Sequence, residues 1–362
     1  MNTLRPICLL AAHLALSPLL WAQQHELFQY NPRTYVCQYV STPLEIDGKL
    51  REKAWKRAEP TDKFIDIEGT IRPLPYYDTE VKMLWDSQYF YIAADLEEPH
   101  LWATYDKRDM VIFHENDFEV FIDPDGDTHH YYELEINALG TIWDLILTRP
   151  YRDGGQAIDA WDITGLKSAV YPNGTLNDPS DEDEGWTLEL AIPWAVLEEL
   201  AAHAGPPRHQ EIWRVNFSRV QWRTEAKGGT YQKKQDPATG APLPEHNWVW
   251  SPQGAIAMHQ PETWGQVQFS KTPVGKAARF AGRPNLDAIR WQLRQIYYKQ
   301  QGWRSEHGTY TSDPGALGLE GAPITVVAGK DYFIAEYELG GTRVRLREDG
   351  KISHITPTDE NE

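Results

Sequence analysis

Residues 117–137 constrain this chain more than any other segment: two alternating strands flank a tight acidic turn. In the first, Phe118, Val120 and Ile122 point one way and Glu119 and Phe121 the other, because side chains alternate along a strand. In the second, Tyr132, Leu134 and Ile136 oppose Tyr131, Glu133, Glu135 and Asn137. One face of this hairpin can be core, and an apolar sheet face needs a second layer to cover it. The other face carries carboxylates, an amide and aromatic rings, the groups that hold a sugar or a cation.

The same alternation recurs along the chain. Residues 35–40 read as a first strand, 81–85 and 89–95 as a hairpin, and 142–147 as a further strand. Residues 165–171 pair with 185–192, 213–222 form a long strand, and 266–269 the last. The acidic linker 177–184 reads as an exposed, disordered loop. Strand following strand with few helices predicts an all-β, antiparallel β-sandwich rather than βαβ repeats. Near residue 271 the character changes. Leu286, Ile289, Leu293 and Ile296 recur at helical spacing, predicting a helix over 284–298 that Gly302 ends. Short strands follow it. The division is thus a main domain over residues 35–270 and a small C-terminal α+β appendage over 284–356.

Residues 1–22 read as a secretory signal: Arg5 gives a positive start, an apolar run follows, and Ala22 closes on a small residue. The run is too short to span a membrane comfortably, and no other segment is apolar enough to do so. A secreted or periplasmic location follows. Cleavage would remove Cys8 and leave Cys37 without an intramolecular partner, a buried inert thiol. The formal charge of −18 disfavours nucleic-acid and anionic-membrane partners and suits neutral ligands or divalent cations.

Several phrases, in order, carry a resemblance: LEIDGKL from Leu44, VKMLWD from Val81, NDFEVFIDP from Asn116, WTLELAIPW from Trp186, WRVNFSR from Trp213, and Trp264-Gly265. Together they resemble the family 9 carbohydrate-binding modules and their stand-alone bacterial relatives. The resemblance implies a β-sandwich that binds poly- or oligosaccharide, with calcium supporting the fold. It places Glu119 at a sugar-binding carboxylate, Asn137 at an amide of the next strand, and Phe113 where a stacking tryptophan is expected. An arginine expected two residues before Asn137 is Glu135 here. Spacing back from Trp264 puts the second stacking position near Met258 and His259.

The candidate carbohydrate-binding residues are therefore Phe113, Glu119, Glu135 and Asn137, with Arg108 as a forked donor and Trp161 as an exposed loop ring. The plainer reading of Glu119 and Glu135 is a hydrated face balanced by Arg214 or Arg219. Asp123, Asp125 and Asp127 set three carboxylates at alternate positions, which suits calcium as a structural ion; the other reading is an acidic hairpin turn favoured by Asp-Gly. No nucleophile elbow, Walker loop or dinucleotide fingerprint is present. The function expected is non-catalytic glycan binding. The alternatives are a glycoside hydrolase of carbohydrate catabolism, using two carboxylates, and an envelope structural or assembly protein that has lost its sugar.

Overall fold

A computed structural model describes residues 30–355, and the segment read as a secretory signal lies outside them. The strands are β1 (Thr34–Tyr39), β2 (Ile65–Asp66), β3 (Thr79–Trp85), β4 (Tyr89–Glu97), β5 (Asp117–Asp123), β6 (Tyr131–Asn137) and β7 (Ile142–Leu147). They continue as β8 (Ala157–Ile158), β9 (Lys167–Asn173), β10 (Gly185–Pro193), β11 (Ile212–Gln221), β12 (Thr224–Lys227), β13 (Thr230–Lys233), β14 (His246–Val249) and β15 (Gly265–Pro273). The strands follow one hydrogen-bonded path, β8-β7-β6-β5-β11-β15-β1-β3-β4-β10-β9, with β14 and β2 beside β11, and the path folds over at β1 into a first sheet, β8 to β1, and a second, β3 to β9. The fold is an antiparallel β-sandwich, with one departure. Strand β1 is parallel to both β15 and β3, and its register shifts between Gln38 and Tyr39, where it leaves one sheet for the other.

The alternation read from residues 117–137 sets the layers. Phe118, Val120, Ile122, Tyr132, Leu134 and Ile136 share one core with Val81, Met83, Phe90, Ile92, Leu188 and Leu190 of the facing sheet. Trp248 and Trp250 are in that core as well. The back of the second sheet is closed by the segment around Trp55. There the buried Glu189 carboxylate accepts from Asp47 N at 2.9 Å, Gly48 N at 2.7 Å and Trp55 Nε1 at 2.6 Å. Gly48 has φ +80°, and a Cβ there would lie 2.9 Å from the Tyr171 backbone, so the LEIDGKL phrase can sit this close only with glycine.

One sequence expectation fails in this part of the chain. The acidic linker is not a disordered loop. Asp183 is buried and accepts from Leu101 N and Thr175 N, while the Asn177 side chain exchanges hydrogen bonds with the backbone of Ala103. The short helix after Pro193, α1 (Trp194–Leu197), buries Trp194 against Phe90 and Phe269.

The C-terminal helix α2 (Pro284–His307) passes through Gly302 and ends at Gly308, whose φ of +71° makes the left-handed cap. Packing overrides the weak helix propensity of Gly302. Leu293, Ile296 and Tyr297 of α2 pack on Phe333, Val344 and Leu346 of a separate antiparallel sheet. Its strands are β16 (Ile324–Ala328), β17 (Phe333–Leu339), β18 (Thr342–Arg347) and β19 (Ile352–His354). This unit docks on the sandwich through polar groups. Tyr298 Oη donates to Glu262 Oε1 at 2.7 Å, Arg294 Nη2 donates to Thr128 Oγ1 at 3.2 Å, and Thr128 Oγ1 donates to Gly350 O at 3.0 Å.

Candidate functional site

Strand register builds the site. Across β5 and β6, Glu119 faces Glu135 and Phe121 faces Glu133. Asp117 lies two residues before Glu119, so the strand period gives it the same face. All four carboxylates therefore stand on the outward side of the first sheet, opposite the core. They are nonetheless covered: Asp117 and Glu135 are 1% exposed, Glu119 and Glu133 5%. Asp117, Glu119 and Glu135 each present an oxygen within 4.8 Å of the others.

Burial and mutual repulsion hold these groups toward their neutral forms. Burial pushes Glu119 up to about 7, with the Ser218 hydroxyl opposing the shift and Glu245 adding to it. Burial raises Asp117 and Glu133, each further raised by Glu119. Glu135 is raised by burial, then by Asp117, Glu119 and Glu133.

Aromatic side chains wall this acidic floor. Phe113 N donates to Glu135 Oε2 at 2.9 Å. Its half-buried ring lies 6.4 Å from that of Trp143, the two planes 29° apart. Trp222 Nε1 donates to Phe113 O at 3.0 Å, and Lys233 Nζ sits 3.2 Å over the Trp222 ring. The Lys233 ammonium is held down at about 8 by its partial burial. Tyr151 is exposed yet close to Glu133 and Glu135, whose charges add to burial in raising its hydroxyl. His259 packs edge-on against Phe121 at 5.8 Å and lies 4.6 Å from the Tyr151 ring.

The structure thus brings Phe113, Glu119 and Glu135 together and separates the other expected residues. Asn137 is fully buried and committed to the turn after β6. Its Nδ2 donates to Tyr105 O, and its Oδ1 accepts from Leu139 N and Thr141 N. Both polar atoms of its amide therefore have partners within the protein. Arg108 and Trp161 lie on the opposite side of the sheet. Arg108 pairs with Asp144 and Asp162, and Asp144 stands beside the core residue Leu134. Trp161 packs 5.0 Å from Tyr132, another core residue, and donates to Glu199. Neither arginine proposed to balance the carboxylates does so. Arg214 turns to Trp264 O and Asp287, while Arg219 points into the sandwich and pairs with Glu98 at 3.0 Å. Sequence reasoning missed Asp117, Glu133 and Trp222 as neighbours of Glu119. The two acids were legible from strand parity; the Trp222–Phe113 contact, 109 residues apart, has no local signal.

Asp123, Asp125 and Asp127 do cluster, each offering an oxygen within 4.8 Å of the others. Their surroundings supply much of the compensation themselves. Asp123 accepts from Gly126 N and Thr128 N, Asp127 meets Lys351 Nζ at 2.8 Å, and the Arg290 guanidinium packs on Gly126. Lys351 and Arg290 come from the docked C-terminal unit, which the turn alone could not announce.

Residues 46–271 match the family described as carbohydrate family 9 binding domain-like. The chain belongs to that family. Among curated proteins it is similar to endo-1,4-beta-xylanase A of Thermoanaerobacterium saccharolyticum, 26% identical over 43% of this chain and 11% of that protein. It is also similar to exoglucanase XynX of Acetivibrio thermocellus, 26% identical over 46% of this chain and 13% of that protein. The chain therefore matches only about a tenth of the length of these relatives, at 11% and 13%. Among solved structures, a putative carbohydrate-binding protein from Bacteroides uniformis aligns with TM-score 0.47 and 16% identity, over 66% of this chain and all of that one. A family 9 module from Caldicellulosiruptor kristjanssonii in complex with cellotriose aligns with TM-score 0.42 and 14% identity, over 69% of this chain and all of that one.

Proposed function

We propose that this chain is a secreted or periplasmic carbohydrate-binding protein without catalytic activity, taking glycan at the outward face of β5, β6 and β7. Family membership supports the ligand class. The observation that carries the location is the pair of half-buried rings, Phe113 and Trp143, standing over the Glu119 and Glu135 floor. Rings cover the apolar C–H face of a pyranose, and carboxylates accept strong hydrogen bonds from its hydroxyls. The names of the curated relatives make cello- and xylo-oligosaccharides the first probes. Phe113→Ala and Trp143→Ala should each weaken binding about tenfold, the scale of one lost aromatic contact, while far-UV circular dichroism stays unchanged. Affinity untouched by both would remove this face from the function. Release of reducing ends from the same sugars would replace the reading with a glycoside hydrolase.

One observation favours a second reading. Asn137 is consumed internally and Glu119 is nearly covered. A sandwich that keeps the family fold but serves as an envelope structural or assembly protein would look this way. Featureless calorimetry across the oligosaccharide panel would select it.

A further inference from the structure

We infer that Asp117, Glu119 and Glu135 hold one divalent cation of the calcium class, at a site separate from the acidic turn. The assignment stands whether or not the cleft takes sugar. Oxygens bound to one calcium ion at 2.3–2.6 Å lie no more than about 5 Å apart. The three carboxylates meet that condition, each with an oxygen within 4.8 Å of the others, from two paired strands whose register fixes them.

The cluster also lacks compensation. Among the described residues, no lysine or arginine pairs with Asp117, Glu119, Glu133 or Glu135, and Lys233 lies over Trp222 instead. Besides the Ser218 hydroxyl near Glu119, the donors they receive are two backbone N–H groups: Phe113 N to Glu135 at 2.9 Å and Val220 N to Asp117 at 3.3 Å. Uncompensated buried charge is strongly unfavourable, so such a cluster takes up protons or a cation.

A second observation points to a ligand. Asp117 Oδ2 and Ser218 Oγ are both buried without a hydrogen-bond partner. Ser218 is 1% exposed and stands directly across from Glu119, on the face of the carboxylates. Its hydroxyl lies close enough to favour the Glu119 anion yet makes no aligned hydrogen bond. The orphaned Ser218 hydroxyl beside three clustered acids, one of them with an unpartnered oxygen of its own, makes a set of hard oxygen ligands, the kind that selects calcium or magnesium over zinc. Buried polar atoms are otherwise rarely left unsatisfied.

The test uses the full chain freed of metal with chelator and titrated with calcium chloride by calorimetry at neutral pH. Terbium luminescence serves as an independent probe of occupancy. The expected result is a binding event lost in Glu135→Gln and in Glu119→Gln but kept in Asp125→Asn. Calcium should raise the Tm of the parent protein and leave that of Glu135→Gln unmoved. Without metal, Glu135→Gln should melt higher than the parent, because it removes one repelling charge while keeping the shape. That last comparison also shows that the variant folds. Loss of the event in Asp125→Asn with retention in Glu135→Gln would place the ion in the turn and overturn the assignment. Absence of any event in the parent, with proton uptake alone neutralising the cluster, would overturn it equally.

Discussion

Glu189 illustrates how one side chain can fasten a whole segment. It sits on the outward face of β10, fully buried, and collects two backbone N–H groups and the Trp55 indole. Burial raises its carboxyl, while the hydrogen bonds from Gly48, Trp55 and Asp47 oppose that shift. Truncation would strand two buried donors, Gly48 N and Trp55 Nε1, besides the half-buried Asp47 N, and each stranded buried group costs about 1–3 kcal/mol. Glu189→Ala should therefore lower unfolding stability by about 3 kcal/mol or more in urea titration, with Glu189→Gln losing less because one acceptor remains. An unchanged urea midpoint for Glu189→Ala would mean that packing of Trp55 alone holds the segment. Asn137 shows the opposite case. Its sequence context offered an amide on a ligand face, but the tight turn after β6 takes its Oδ1 and the backbone of Tyr105 takes its Nδ2. Local backbone demand outranks availability to a ligand, and strand parity cannot reveal that.

Between elements, the decisive contact is the docking of the C-terminal unit on the sandwich. Glu262 is buried between Arg152 and Arg294 and accepts from Tyr298. Burial pushes its carboxyl up, but the two arginines outweigh burial and hold it at about 2, below its ordinary 4.5. A depressed carboxylate stabilises the folded state above its unfolded pKa and loses that contribution as pH falls. The contribution, about 3 kcal/mol from the size of the shift, should be complete above pH 4.5 and fade as pH falls toward 2. Hydrogen exchange of the α2 amides should accelerate over that interval. Glu262→Gln should show faster exchange already at neutral pH and a flatter acid response. The same acid response in both proteins would exclude Glu262 as the anchor. Asp349 has a depressed carboxyl too, since His129 and Arg347 outweigh its burial, so some acid dependence persists in the variant. None of this docking was legible in advance. The helix showed in the spacing of Leu286, Ile289, Leu293 and Ile296, but its polar partners lie on loops of the other unit, far away in sequence.

At the scale of the molecule, the layers were legible because strand alternation is a local rule. Phe118, Val120 and Ile122 could only face a core, and Glu119 could only face away. What alternation does not encode is which strands neighbour each other. The parallel placement of β1 between β15 and β3, and the approach of Phe113 to Trp143 and Trp222 beside the outward carboxylates, both come from long-range contacts. Charge is the other global property, and it bears on ligand choice. The chain carries a formal −18, and its proposed cleft is floored by four acids. A neutral oligosaccharide meets no long-range force, so its affinity should stay flat across about a tenfold range of salt. An acidic polysaccharide is repelled at low ionic strength, and its binding should strengthen as salt screens that repulsion. Affinity electrophoresis with one neutral and one acidic polymer, run at several salt concentrations, separates the two behaviours. Tighter binding of the acidic polymer at low salt would require a basic surface near the ligand. In that outcome Lys233 over Trp222, the ammonium on the cleft wall, becomes the residue to substitute first.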